Sequence, residues 1–212
     1  MERPIMSKTV ECLFDLGSPY SYLAWHQLPK IAAARGARII WQPILVGAVF
    51  QATGNHAPIE TPNKALYSLI DLQRWAKHYG VNFTMNPHFP INTLALMRGA
   101  VAMQAEGEEV YLRYLSAMFK ALFEEPRNLN LPEEIGKVLQ ENGFDPMALM
   151  AKIGEQAVKD QLRKNTEQAV ARGAFGAPTF FVGKEMFWGQ DRLDFVDAAL
   201  ADAALADAAL AD

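Results

Sequence analysis

A serine that follows a strand and a glycine, and precedes a proline, is the residue of this chain best placed to do chemistry. Ser18 lies in the run Phe14-Asp15-Leu16-Gly17-Ser18-Pro19-Tyr20-Ser21. Gly17 breaks the preceding pattern, Ser18 is a helix N-cap candidate, and Pro19 takes the first helical position, where its missing N–H costs nothing. As a cap alone, Ser18 contributes about 1 kcal/mol. It also sets a hydroxyl beside free backbone N–H groups and the positive end of the helix dipole, which suits an anion. For a thiolate, a charged hydrogen bond would supply about 1.5–3 kcal/mol and the dipole about 0.3–1 kcal/mol. The total, roughly 2–4 kcal/mol, lowers a thiol pKa of about 8.5 by roughly 1.5–3 units. A thiol that is mostly protonated at neutral pH becomes mostly thiolate.

Ser18 is less suited to act as a nucleophile, because that needs a base within hydrogen-bond reach. His26 follows eight residues later on the same helix, about 12 Å away. His56, His78 and His88 fit neither a metal nor a triad spacing, and the chain has no G-x-S-x-G elbow. No metal site is expected. The one cysteine, Cys12, cannot close an internal disulfide or form a redox pair.

The elements that position Ser18 follow from local patterns. Val10, Cys12 and Phe14 alternate with Glu11, Leu13 and Asp15, the period of a strand. A helix is predicted from Pro19 to about Arg35, kinked by Pro29 and stopped by Gly36. Residues 38–42 (RIIWQ) read as a second strand ended by Pro43. From about Lys64 to Gly173 apolar residues return every three or four positions, beginning with Leu66, Leu69, Ile70 and Trp75, the pattern of a helical block. Helices are expected to start at Pro132 and Asp145-Pro146, with another from Glu155 to Arg172. Strands resume at 179–182 (TFFV) and 185–188 (EMFW) around a Gly183-Lys184 turn, a hairpin signal. A final helix is predicted from about Asp191.

The C-terminus repeats DAALA at 197, 202 and 207. Five residues at 100° each turn successive leucines by about 140°, so Leu200, Leu205 and Leu210 share no stripe. Helix with fraying after about Leu200 is expected, and no function is assigned to it.

Composition bounds the function classes. With 212 residues, 50% hydrophobic and 21% charged, folding removes roughly 70% of the unfolded chain's surface. The 20 Lys+Arg against 24 Asp+Glu, without a like-charge block, argue against a nucleic-acid partner. No run of 18 apolar residues and no signal-type leader occur, so no membrane partner is expected, and the chain reads as soluble, unprocessed and cytoplasmic.

Strand, helix, strand, helical insertion, hairpin and helix is the order of elements of an α/β, thioredoxin-like domain with a large all-helical insertion. The expected division is 9–43 plus 174–200 for that domain, 44–173 for the insertion, and 201–212 for the extension. Where such a domain carries C-x-x-C, this chain has Ser18-Pro19-Tyr20-Ser21. Where it carries a cis-proline loop, this chain has Gly176-Ala177-Pro178-Thr179. Disulfide exchange then needs an outside thiol.

The runs FDLGSPYSYLA, GNHAP at 54–58, TPNK at 61–64, DLQRWA at 71–76 and GAFGAPTFFVGKEMFWGQDRL at 173–193 carry a family resemblance. The chain resembles the 2-hydroxychromene-2-carboxylate isomerases and, more distantly, the kappa-class glutathione transferases, both DsbA-like. The resemblance implies glutathione as cofactor, with its sulfur held by Ser18 and the turn shaped by Pro19 and Tyr20. It implies that Ala177, before a cis Pro178, pairs through its backbone with the cysteinyl part, and that Gln190 and Asp191 meet the γ-glutamyl end. It implies that Asn55 and Lys64 reach the glutathione and substrate side, and that 86–94 (NPHFPINTL) faces the substrate. Read without it, Asp191 is a helix cap, Lys64 a solvated first-turn residue and Asn55 a turn residue, while Trp75 and Trp188 read as core.

The implied activity is glutathione-dependent cis-trans isomerisation of an aromatic unsaturated keto acid, with a small aromatic carboxylate as substrate and a homodimer as the assembly. The alternatives are a kappa-like transferase that releases conjugates and a non-catalytic binding module.

Overall fold

The strand, turn and helix expected at the start all form. The computed structural model describes the backbone of residues 8–209 and the side chains through residue 203. β1 (Thr9–Phe14) runs into α1 (Pro19–Arg35), which continues through Pro29 and is capped by Gly36 at φ 62°. The chain returns as β2 (Arg38–Pro43), parallel to β1 with Thr9 opposite Arg38 and Phe14 opposite Pro43. Parallel neighbours need a crossover of this kind, and α1 supplies it.

Between β2 and the next strand the chain forms α2 (Val46–Thr53), a 3-10 turn (Pro58–Glu60), α3 (Pro62–Tyr79), α4 (Leu94–Gln104) and α5 (Glu108–Phe123). It continues through α6 (Pro132–Glu141), α7 (Pro146–Gly154) and α8 (Gln156–Ala171). β3 (Thr179–Val182) then pairs antiparallel with both β1 and β4 (Glu185–Trp188), giving a sheet of order β2-β1-β3-β4 among the described residues. A 3-10 turn (Gln190–Arg192) leads into α9 (Leu193–Ala209). This is the thioredoxin-like α/β sheet with a helical insertion.

β1 is the strand around which both cores close. Val10, Cys12 and Phe14 pack with Tyr22 and Leu23 of α1 and with Met97, Leu115 and Met118 of α4 and α5. Leu13, on the opposite face, packs with Phe181, with Ile44 just before α2 and Val49 within it, and with Ala169 of α8. Each such fully buried Leu or Phe contributes about 1.5–3 kcal/mol. Cys12 is among the fully buried residues, and burial pushes its thiol pKa well up, so it is no source of thiolate.

The structure adds to or departs from the local sequence patterns at four points. Leu66, Leu69 and Ile70 do not line the core: Leu66 is 63% and Ile70 53% exposed, while α3 buries Leu72 and Ala76 instead. The three-to-four spacing marks an apolar face without saying which neighbour covers it. α2 has no strong local signal and forms because tertiary acceptors cap it: Leu45 N–H donates to Thr166 Oγ1 at 3.0 Å and Val46 N–H to Asp15 Oδ2 at 2.9 Å. The last α-helix starts at Leu193, two residues after Asp191, because the 3-10 turn intervenes. It then continues to Ala209 rather than fraying after the buried Leu200, as alanine-rich sequence favours. The side chain of Leu205, and Leu210 altogether, lie outside the described residues.

Candidate functional site

The site is built where the N-terminus of α1 meets the loop before β3. Ser18 caps α1, its Oγ accepting the Ser21 N–H at 3.1 Å. The same oxygen donates to the carbonyl of Ala177 at 3.1 Å, across 159 residues of chain. Ala177-Pro178 is a cis peptide bond, Pro178 is buried, and Ser18, Pro19, Tyr20 and Ala177 are partly exposed. Pro19 has no N–H, and Tyr22 N–H is taken by the Ser18 carbonyl. Neither hydrogen-bond partner of Ser18 Oγ is a histidine, an arrangement without the paired base an attacking serine needs.

Behind the turn lies Asp15, fully buried. Its Oδ1 accepts Gly17 N–H at 2.9 Å and its Oδ2 accepts Val46 N–H at 2.9 Å, with the Thr93 side chain beside it. Burial pushes its carboxyl pKa up, and the hydrogen bonds pull in the opposite direction. The 91–93 segment comes so close that a Cβ on Gly17 would sit 2.7 Å from the Thr93 methyl. A side chain at position 17 would force one of these neighbours to shift.

A second group gathers beside Tyr20. Its hydroxyl lies next to Ser68 and Asp71, and its pKa is raised, first by burial and then by the carboxylates of Asp71 and Asp191. Asp71 is itself raised, first by partial burial and then by Asp191, with Arg74 opposing. The Asp71 carboxyl thus feels the charge of Asp191, with Arg74 as its nearby counter-charge. Asp191 is exposed and pairs with Arg192 Nη1 at 2.6 Å. Gln190 is buried, and its carbonyl accepts the Tyr79 hydroxyl at 3.0 Å, where burial and Asp194 and Asp191 push the Tyr79 pKa up to about 12. Gly189 N–H donates to Pro178 O at 3.0 Å, so this turn is tied to the loop that carries Ala177.

Asn55 joins the insertion to the same loop, its Nδ2 donating to Phe175 O at 2.8 Å while its Oδ1 accepts His56 N–H at 2.8 Å. Lys64 is exposed in the first turn of α3 and makes no ion pair among the described residues. Trp75 is half-buried. Trp188, expected in the core, is 48% exposed; it packs on Phe175 with ring centroids 4.9 Å apart and lies over Gly176. As the last residue of β4, the edge strand among the described residues, it has one neighbouring strand there, β3.

The geometry therefore brings Ser18 to Ala177, Asn55 to the loop before β3, and Tyr20 to Asp191; no hydrogen bond links Lys64 to them among the described residues. Asp15, Asp71, Thr93, Tyr79 and Phe175 join the site without having been singled out. Asp71 lies inside the DLQRWA run, but no spacing rule separates it from an ordinary solvated helix carboxylate.

Residues 9–201 match the family model of the DSBA-like thioredoxin domain. A 2-hydroxychromene-2-carboxylate isomerase of Sphingobium xenophagum is 34% identical over 200 residues, covering 92% of this chain and 99% of that protein. Glutathione S-transferase kappa 1 of Caenorhabditis elegans is 27% identical over 199 residues, covering 88% of each. The solved structure of a 2-hydroxychromene-2-carboxylate isomerase superposes with a TM-score of 0.84 at 30% identity, covering 95% of this chain and 98% of that one. Since both the family model and the isomerase relative extend over nearly the whole described backbone, the chain belongs to the DSBA-like thioredoxin family, in its 2-hydroxychromene-2-carboxylate isomerase branch.

Proposed function

We propose that this protein is a glutathione-dependent isomerase that interconverts 2-hydroxychromene-2-carboxylate and trans-o-hydroxybenzylidenepyruvate, or a close analogue of that pair. The observation that carries the reading is the Ser18 hydroxyl, 3.1 Å from the Ala177 carbonyl at the mouth of α1, in a chain of this family. The residues fit glutathione: a hydroxyl for sulfur, a backbone carbonyl for an amide, and the Asp71 and Asp191 carboxylates for an ammonium. When bound, glutathione supplies a thiolate that adds reversibly to the conjugated system, so that a double bond rotates as a single bond before elimination restores it.

Each part of the chain then has one task. Ser18 donates to the sulfur anion and keeps it deprotonated. Ala177 pairs with the cysteinyl backbone, with Pro19, Tyr20 and Pro178 shaping the walls. Gln190 and Asp191, with Asp71 opposite, hold the γ-glutamyl end. Asn55 holds the loop through Phe175, and Lys64 neutralises the substrate carboxylate. The exposed apolar face of α3, with Leu66, Leu69 and Ile70, is covered by a second copy of the chain in a homodimer. A cytoplasmic setting is part of this reading, since the lone buried cysteine suits a reducing compartment.

The test is ultraviolet turnover of 2-hydroxychromene-2-carboxylate with and without glutathione, with mass spectrometry of the product. An unchanged substrate mass and glutathione-dependent turnover support the isomerase. A product heavier by one glutathione marks the kappa-like transferase instead. Ser18→Ala is expected to lower turnover at least about tenfold, with the fold intact, through loss of a charged hydrogen bond. Near-normal turnover in that variant removes Ser18 from the reaction.

A further inference from the structure

Each backbone N–H of the turn that leads into Ser18 has an acceptor. Gly17 N–H goes to Asp15 Oδ1 at 2.9 Å and Ser18 N–H to the Asp15 carbonyl at 3.0 Å, both within the turn. Leu16 N–H instead leaves the turn and donates to the thioether sulfur of Met97 at 3.2 Å, across 81 residues of chain. Leu16 and Met97 are both fully buried, so bulk water does not compete for this N–H. Met97 stands in the first turn of α4, its own N–H donating to the Thr93 carbonyl at 2.8 Å. Thr93 and Met97 are one helical turn apart and share a face. That face meets the turn twice, with the Thr93 methyl where a Cβ on Gly17 would sit and the Met97 sulfur on the Leu16 N–H. The helical insertion thus holds the turn from α4, while Asp15 ties it to α2 through the Val46 N–H.

We propose, resting on the glutathione reading above, that Met97 is a positioning residue for the reaction: its sulfur holds the Leu16 N–H and thereby fixes the Ser18 hydroxyl in place at the mouth of α1. The residue type fits this task. A thioether accepts a hydrogen bond and brings no donor of its own. Leucine at 97 fills the same space but leaves the Leu16 N–H unpaired, and a buried N–H without an acceptor forfeits its hydrogen bond. Glutamine accepts the N–H but buries an NH2 group that then needs partners of its own. Fully buried, Met97 touches neither glutathione nor substrate and acts only through the turn.

The experiment compares Met97→Leu with Met118→Leu on the full chain. Met118 is fully buried in the same core and its sulfur accepts no hydrogen bond among the described residues, so its exchange removes a thioether without removing an acceptor. Two quantities are read: hydrogen exchange of the Leu16 amide relative to the amides of β1, by nuclear magnetic resonance, and the pH titration of thiolate absorbance at saturating glutathione. In Met97→Leu the Leu16 amide is expected to exchange at least about tenfold faster. The bound thiol is expected to titrate about one pKa unit higher, part of what a charged hydrogen bond supplies. Met118→Leu is expected to leave both values as in the unaltered protein. A thiol pKa that Met97→Leu leaves unchanged, or that both variants raise alike, overturns the positioning role even where Leu16 exchange has quickened. Absence of saturable glutathione binding to the unaltered protein removes the underlying reading and the proposal with it, a failure told apart because Leu16 exchange still responds to Met97→Leu. If Met97→Leu does not fold, crystal structures of the selenomethionine protein with and without glutathione decide. Selenium within hydrogen-bond reach of the Leu16 nitrogen in both, with the turn unmoved, supports the role. Selenium out of reach, or a turn that leaves it when glutathione binds, overturns it.

Discussion

Asp15 and Val46 are joined by a hydrogen bond of 2.9 Å from the Val46 N–H to Oδ2 of the fully buried carboxylate. Through its other oxygen Asp15 holds the Gly17 N–H, so one side chain fastens the Ser18 turn to the start of α2.

This link has a pH signature. Burial raises the folded-state pKa of Asp15 above its unfolded value, so the folded protein binds that proton more tightly. The stability the group contributes is complete below the unfolded pKa, about 3.9, and is lost as pH rises through the folded one. Asp15→Asn removes the titration and deprives one N–H of its carboxylate, at about 1–3 kcal/mol. Urea unfolding across pH is expected to show the unaltered protein losing stability relative to the variant as pH climbs above the ordinary carboxylate range. Parallel curves would mean that Asp15 titrates alike in both states.

Gly17→Ala places a methyl 2.7 Å from Cγ2 of the buried Thr93, with the Ile91 carbonyl close behind. Overpacking of this kind costs about 1–3 kcal/mol. A lower melting temperature and several-fold slower turnover are expected, because the residue next to Ser18 must shift. Adding Thr93→Ser keeps the hydroxyl and deletes the opposing methyl; it is expected to restore both readings in large part. Failure of that rescue would assign the damage to something other than the Thr93 contact.

Asp71→Asn probes the carboxylate pair beside Tyr20. Because partial burial and Asp191 raise the Asp71 pKa, lowering pH protonates it early and removes charge from the proposed γ-glutamyl ammonium subsite. The KM for glutathione should therefore rise as pH falls. In the variant KM is expected to be about fivefold higher at neutral pH, as for a partly exposed charge contact, and flatter on the acid side. Turnover at saturating glutathione is expected to change little. An unaltered KM profile would take Asp71 out of the site.

Ile70→Glu puts charge into the exposed apolar face of α3, where Ile70 is 53% exposed. Circular dichroism should be unchanged, since no buried contact is lost. Sedimentation velocity is expected to show the proposed homodimer weakened about thirtyfold or more, the effect of a charged residue at an interface centre. An unshifted assembly would place the dimer contact on another face.

What was legible in the residues alone is what neighbours in sequence decide. Ser18 and Pro19 start α1, Gly36 ends it, and Gly183-Lys184 turns β3 into β4, because capping and turn geometry depend on a few consecutive backbone angles. The helical character of the insertion was equally plain from its periodicity. Which helix faces were covered was not: Leu66 and Ile70 have the spacing of a buried face and are exposed, because a repeat carries no information about its partner. α2 was invisible for a related reason, its caps being Asp15 and Thr166 from distant segments.

The candidate site divides in the same way. Ser18 alone signalled an anion-binding hydroxyl, but the direction of its proton toward Ala177 depends on two segments 159 residues apart packing against each other. The Asn55 bridge to Phe175 spans 120 residues, and the influence of Asp191 on Asp71 likewise arises only when α3 and the 190–192 turn both pack against α1. Hydrogen bonds and charge pairs of this kind are short-ranged in space and indifferent to distance along the chain, so only the folded packing could decide them.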